Sequence, residues 1–160
     1  PLKKAIQKLK YGKVRDFAPV LTDVLIEYWA RYQPFVLDEI KKSGGNGWIV
    51  VPVPLFWWRE NSRGFNQASL VGKLLTEKLG LSYSESLKRI KPTKSQVKLK
   101  GKERHQNIKN AFGLDSRFLR LDSNILLIDD VWTTGSTLRE CCYILKRSGA
   151  QTVWALTLAR

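Results

Sequence analysis

Apolar residues along this chain fall into blocks with two different periods. Leu2, Ile6 and Leu9 recur at helical spacing and predict a short amphipathic helix. Phe17 to Leu37 is richly apolar and predicts a second, well-buried helix with Pro34 near its end. The cluster SGGNG, Ser43 to Gly47, is a turn. Trp48 to Val53 is a short β-branched run that suits a buried strand. From Asn66 to Leu79, apolar residues at 68, 70, 71, 74, 75 and 79 predict a helix capped by Gly80. Tyr83 to Ile90 predicts a second strand and Ala111 to Leu114 a brief one. Asn124 to Ile128 is a hydrophobic strand, Thr137 to Arg147 a helix ending at Gly149, and Thr152 to Leu158 an alternating strand. Strand, helix and strand in succession predict an α/β fold with a mostly parallel central sheet flanked by helices. No repeat, low-complexity tract or linker divides the chain. It reads as a single domain over 1–160, with a helical N-terminal region at 1–47 and a core at 48–160.

Composition sharpens this picture. With 160 residues and 43% hydrophobic positions, the chain can bury a real core, which excludes wholesale disorder. Two cysteines exclude a disulfide-rich scaffold. No apolar run approaches the roughly 20 residues of a membrane helix, and no signal-peptide core follows the start. A protein without membrane insertion and with a cytoplasmic location is therefore expected. A first residue of Pro1 and the lack of any Met read as a trimmed or processed piece. Twenty-eight Lys and Arg against 14 Asp and Glu give +14, which points to an anionic partner: nucleic acid, membrane surface or a phosphorylated small molecule. The charge is uneven. Lys3, Lys4, Lys8, Lys10, Lys13 and Arg15 precede the first acid, Asp16. A second run, Lys91 to Lys109, sets six Lys and Arg104 against Glu103 alone. Pro92 and Gly101 interrupt it and no apolar period crosses it, so it reads as a long mobile loop of functional kind.

The chemistry concentrates in ILLIDDVWTTGST, Ile125 to Thr137. In open α/β sheets, ligands bind beyond the C-terminal ends of strands. Asp129 and Asp130 sit at such an end, and Thr133 to Thr137 form the turn into the next helix. Gly135 allows positive φ and close backbone approach. Successive N–H groups at a helix start make an anion site, to which Thr133, Thr134, Ser136 and Thr137 add hydroxyl donors. Carboxylates repel phosphate, so the two acids must read another part of the same ligand. Vicinal ribose hydroxyls fit, and a divalent cation held through water is the alternative. Together these parts describe a sugar 5-phosphate. The plainer alternative is that the acids merely end a strand and that Ser136 or Thr137 caps the helix. Neither a P-loop nor a G-x-G-x-x-G fingerprint occurs.

The same run resembles the phosphoribosyl-diphosphate (PRPP) motif of type I phosphoribosyltransferases, and every defining position is filled. The resemblance implies that Asp129 and Asp130 hold the ribose 2- and 3-hydroxyls and that Thr133 to Thr137 wrap the 5-phosphate. VVPVPLFWWRENSRGFNQASLVGKLL, Val50 to Leu75, is similar to the signature of the ComF branch, which includes competence proteins. SQVKLKGKERHQNIKNAF, Ser95 to Phe112, and the opening IQKLKYGK resemble that branch too, so the likeness covers nearly the whole chain. Members of that branch commonly carry a Cys-rich zinc ribbon upstream; this chain begins after that point, and its only cysteines, Cys141 and Cys142, cannot supply four zinc ligands. It departs from the branch at Trp57–Trp58, where relatives more often carry basic or small polar residues.

By this resemblance the fold is that of a type I phosphoribosyltransferase, with N-terminal helices and a long mobile loop over a PRPP-binding core. Pyrophosphate would be bound by the loop from Pro52 to Arg63, with Val53, Pro54, Arg59 and Arg63 as its contacts. The guanidinium fork makes the two arginines the candidates for phosphate oxygens. The mobile loop would bring Lys102 and Arg104 to the leaving pyrophosphate as the catalytic cations, with Gln96 and Asn107 as polar contacts. Mg2+ would bridge PRPP oxygens and reach Asp129 and Asp130 through water, without direct protein ligands. His105 reads as a bystander, Cys141 or Cys142 as core, and Trp132 as packing ahead of base stacking. The expected activity is phosphoribosyl transfer. The alternative is a nucleic-acid-handling role in DNA uptake, with PRPP as regulator or vestigial ligand. Its candidate partners are single-stranded DNA, for which Trp57 and Trp58 offer a stacking platform, and other competence proteins.

Overall fold

The computed structural model describes residues 17–57, 60–61, 64–92, 108–115 and 122–159. Along the chain these form α1 (Ala18–Tyr32), α2 (Pro34–Lys42), β1 (Trp48–Pro52), α3 (Gln67–Leu79), β2 (Ser82–Tyr83), β3 (Leu87–Arg89), β4 (Phe112–Leu114), β5 (Asn124–Val131), α4 (Ser136–Arg147) and β6 (Thr152–Ala159). Four strands make a parallel sheet in the order β2-β1-β5-β6. β3 and β4 pair antiparallel as a separate two-stranded unit.

The sheet is apolar on both faces, as parallel sheets require. Val50, Leu126, Ile128, Leu156 and Leu158 face one core with Trp29 and Leu25 of α1, Val36 and Ile40 of α2, and Val71 and Leu75 of α3. Val51, Ile125 and Leu127 face the other core with Leu138, Cys141 and Leu145 of α4 and with Leu87 and Phe112 of the β3–β4 pair. Successive residues of β1 and β5 thus face opposite sides, the two-residue period of a strand. Among the described residues, no helix is long and apolar enough to cross a membrane.

Two predicted elements change shape. The helix expected from Phe17 to Leu37 is two helices, broken at Gln33 with φ −139° and ψ 50°. Proline disfavours helical backbone in the residue before it, and Pro34 opens α2 instead of closing α1. The strand expected from Tyr83 to Ile90 is also two. Tyr83 pairs with Val50 in the main sheet, whereas Arg89 pairs with Phe112 in the smaller one. Between them Ser84 N–H donates to Val50 O at 3.0 Å and Asp115 N–H to Ser86 O at 2.8 Å, handing the chain from one sheet to the other. Gly80 caps α3 as expected, in left-handed backbone with φ 66°.

Candidate active site

β5 runs past its predicted end at Ile128 to Val131 because β6 keeps pairing with it: Asp129 is opposite Thr157, and Val131 opposite Ala159. On the other side β1 stops pairing at Pro52 opposite Ile128. Both acids therefore belong to the last part of an inner strand whose neighbour β1 has just ended. Both are half-buried, and Asp130 N–H donates to Asp129 Oδ1 at 2.8 Å.

The chain then turns through Trp132 to Gly135. Trp132 N–H donates to Ala159 O at 2.8 Å, which ties the turn to the end of β6. Gly135 has φ 72° and ψ 4° and stands as the N-terminal cap of α4, so neither Ser136 nor Thr137 is the cap. A Cβ at Gly135 would lie 2.8 Å from Trp132 Cζ2, so the indole is seated directly against this glycine. This places Trp132 in a packing role, as expected. Thr134 Oγ1 and Ser136 Oγ are 2.6 Å apart, and Thr133 is exposed beside them. Three hydroxyl residues thus surround the first turn of a twelve-residue helix, where backbone N–H groups lack intrahelical partners and the macrodipole favours an anion.

The loop after β1 is anchored at the same sheet edge. Val53 N–H donates to Ile128 O at 2.8 Å, and Val53 O accepts from Asn66 Nδ2 at 3.0 Å. Both backbone groups of Val53 are engaged inside the fold and its side chain is buried, so Val53 builds the loop's root; Pro54 follows half-buried. Asn66 is itself the cap of α3, accepting from Ala68 N–H at 3.0 Å. Behind it, Gln67 is buried, and neither amide atom has a hydrogen-bond partner among the described residues. Trp57, after this segment's root, is exposed. Arg59, Arg63, Trp58, Gln96, Lys102, Arg104, His105 and Asn107 lie outside the described residues.

Arg89 and Glu140, absent from the sequence expectation, meet residues of the site, and Cys141 packs in the core as expected. Arg89 lies over the Phe112 ring at 5.1 Å. Cys141 is fully buried, and its thiol is pushed well up, first by burial and then by the negative Asp129, while Arg89 pulls the other way. Asp129 and Arg89 therefore both act on the Cys141 thiol, in opposite directions. Glu140 of α4 accepts from Asn110 N–H at 2.7 Å, with Asn110 in left-handed backbone at φ 55°. That bond fixes the chain entering β4 to the helix that begins at the Gly135 turn. An arginine within a short strand run and an acid one turn into α4 were the only sequence signals available for these contacts.

A raised thiol pKa keeps Cys141 protonated at neutral and mildly alkaline pH, so it is inert as a nucleophile. Cys142, half-buried, is shifted up by burial as well. Iodoacetamide at pH 8 is expected to label Cys141 at least a hundredfold more slowly in the folded chain than in urea, read by mass spectrometry. Equal rates would place the thiol at the surface.

The site is thus a parallel sheet carrying two carboxylates at an inner strand end, followed by a left-handed glycine and a hydroxyl-rich helix start. No family model matches the chain. Competence protein F of Haemophilus influenzae is 40% identical over 113 residues, covering 69% of this chain and 49% of that protein. DNA utilization protein YhgH of Salmonella typhi is 39% identical over 162 aligned positions, covering 100% of this chain and 67% of that protein. The chain belongs to the ComF family, to which these relatives belong, and it spans from about half to two thirds of their length. Among solved structures, adenine phosphoribosyltransferase of Leishmania tarentolae aligns with a TM-score of 0.47 and 18% identity, over 89% of this chain and 56% of that one. That likeness is too distant to carry an argument of its own.

Proposed function

We propose that this chain binds PRPP with Mg2+ and carries out phosphoribosyl transfer. The supporting observation is the Gly135 turn, which sets an anion-binding helix start directly after two strand-end carboxylates. A ligand with a phosphate at one end of a ribose satisfies both, since ionised carboxylates accept hydroxyl protons and the turn offers donors. Transfer through an oxocarbenium-like state needs no protein nucleophile, which agrees with the protonated, buried Cys141. The protein then acts by positioning the ribose and by placing cations at the leaving group. Arg59, Arg63, Lys102 and Arg104 are the candidate cations.

Asp129 and Asp130 fit a hydrated Mg2+ because they are hard oxygen donors beside the ribose position, and Mg2+ retains several waters. Held there with PRPP, the ion would supply positive charge for the leaving pyrophosphate. Among the described residues, no three His, Cys, Asp or Glu side chains cluster as a metal site of their own. Titration calorimetry with PRPP and Mg2+ tests the reading: saturable heat is expected, and an absence of binding would end it.

A second reading is favoured by the relatives, one called a DNA utilization protein and one a competence protein, together with the +14 charge. In it the chain handles single-stranded DNA during uptake. Affinity for an oligonucleotide is expected to fall about tenfold or more between roughly 50 and 200 mM salt, because each neutralised phosphate releases counterions. A flat salt response would remove this reading and leave the first intact.

A further inference from the structure

The two edges of the main sheet are built differently. β2, at one edge, has two residues, and shortness is one of the devices that blunt an edge. β6, at the other, runs eight residues, and among the described residues only β5 pairs with it. Its sequence, TVWALTLA, holds no charged residue, no proline and no glycine. Its register with β5 keeps one offset from Asn124↔Thr152 to Val131↔Ala159, so no bulge twists it away. The usual protections of an open edge are therefore missing from the strand itself.

Backbone direction alternates along a strand. Trp132 N–H donates to Ala159 O, so Ala159 turns its backbone groups to β5, and by alternation so do Thr157, Ala155 and Val153. Trp154, Leu156 and Leu158 turn theirs to the open edge. The side chains of these three belong to the core shared with α1, α2 and α3. Phe35 of α2 is 45% exposed and stacks on Trp154 at 5.2 Å, which adds an apolar ledge beside the edge. On the opposite face of the strand Ala155 is exposed.

A strand fits this edge, and charge and register select a second copy of the same one. Two chains of net charge +14 repel over most of their surface, whereas β6 is a neutral stretch where they can meet. A nucleic acid finds no cation along it. Antiparallel pairing about a twofold axis at Leu156 is self-complementary. Leu156 meets its own counterpart, each Trp154 lies opposite a Leu158, and each Ala155 lies opposite a Thr157. Every outward N–H and C=O of Trp154, Leu156 and Leu158 then has a partner. The two Ala155 residues become diagonal neighbours at about 7–8 Å. We propose that this chain forms a twofold dimer in which the β6 edges pair antiparallel and join the two sheets into one.

Sedimentation velocity on the full chain tests this, at about 150 mM salt so that repulsion between the basic chains is screened. An edge contact is a small interface, so a mass near 18.4 kDa is expected at about 2 µM and near twice that at about 200 µM. Amide hydrogen exchange at Trp154, Leu156 and Leu158 is expected to slow at least fivefold over the same range. Ala155→Lys and Ala155→Glu alter an exposed position, and each alone is expected to stay monomeric because like charges meet across the axis. An equimolar mixture of the two is expected to regain the dimer. A monomer mass across the whole range overturns the proposal. A dimer whose three amides exchange as fast as in the monomer, or one that Ala155→Lys leaves intact, places association on another face and overturns it too. A mixture that stays monomeric removes the antiparallel register and the proposal with it.

Discussion

Gly135→Ala is expected to lower the melting temperature by roughly 10 °C and to abolish measurable PRPP binding. Two separate costs meet at this position. Left-handed backbone at φ 72° costs an L-residue about 1–2 kcal/mol. The new Cβ also stands 2.8 Å from Trp132 Cζ2, with two further ring carbons at 3.2 and 3.3 Å. An indole is not a flexible side-chain end, and Trp132 is tied by its own N–H to Ala159 O at 2.8 Å. Overpacking of this kind costs about 1–3 kcal/mol, giving roughly 3 kcal/mol in all. For a domain of this size each kcal/mol is worth about 2–4 °C. The turn relieves the clash by moving, and Thr134, Ser136 and the first N–H groups of α4 move with it. Thermal melting and calorimetry on the same samples check both parts. A melting temperature within about 1 °C of the parent would show that the indole yields easily. Trp132→Ala combined with Gly135→Ala is expected to recover the steric part and leave the backbone part.

The acids, the glycine and the hydroxyls were legible because their order along the chain is also their order in space. A strand that runs straight into a turn and a helix keeps Asp129, Gly135 and Ser136 adjacent without help from elsewhere. The helix from Asn66 to Leu79 was legible for a similar reason: its cap, its apolar repeat and Gly80 are all local. What could not be read depends on contacts across the fold. The length of β5 is set by β6, which continues alongside it to Val131 after β1 has ended. The division of the segment after Tyr83 between two sheets depends on Val50 and Phe112, both far away in sequence. The effects of Arg89 and Asp129 on Cys141 likewise require β3, β5 and α4 to meet. Pro34 stands near the end of the apolar run from Phe17 to Leu37, although a proline can also begin a helix; the packing of Val36, Leu37 and Ile40 into the core supports the second helix that it opens.

The remaining large effect concerns the carboxylates. Asp129→Asn combined with Asp130→Asn is expected to weaken Mg-PRPP binding at least tenfold, about 1.4 kcal/mol, with the melting temperature little changed. Asparagine keeps the shape of the side chain and one oxygen. The 2.8 Å bond from Asp130 N–H to Oδ1 of residue 129 can therefore persist. What is lost is the ability to accept at both oxygens: the amide presents N–H donors towards ribose hydroxyls that are themselves donors. The negative charge that a hydrated Mg2+ would answer is lost as well. The charge on Asp129 supplies a second, independent readout. It is one of the causes that raise the Cys141 thiol, with burial the larger. Removing it moves that thiol pKa downward while burial still holds it above the ordinary value, so Cys141 stays slow to alkylate in the double variant. Calorimetry with PRPP and Mg2+, melting temperature and alkylation rate on one preparation then separate the outcomes. Weakened binding with an unchanged melt and a protected thiol assigns the acids to the ligand. Weakened binding with a fast-reacting Cys141 assigns them to holding β5 and α4 together. Undiminished affinity would remove the ribose-binding role from Asp129 and Asp130.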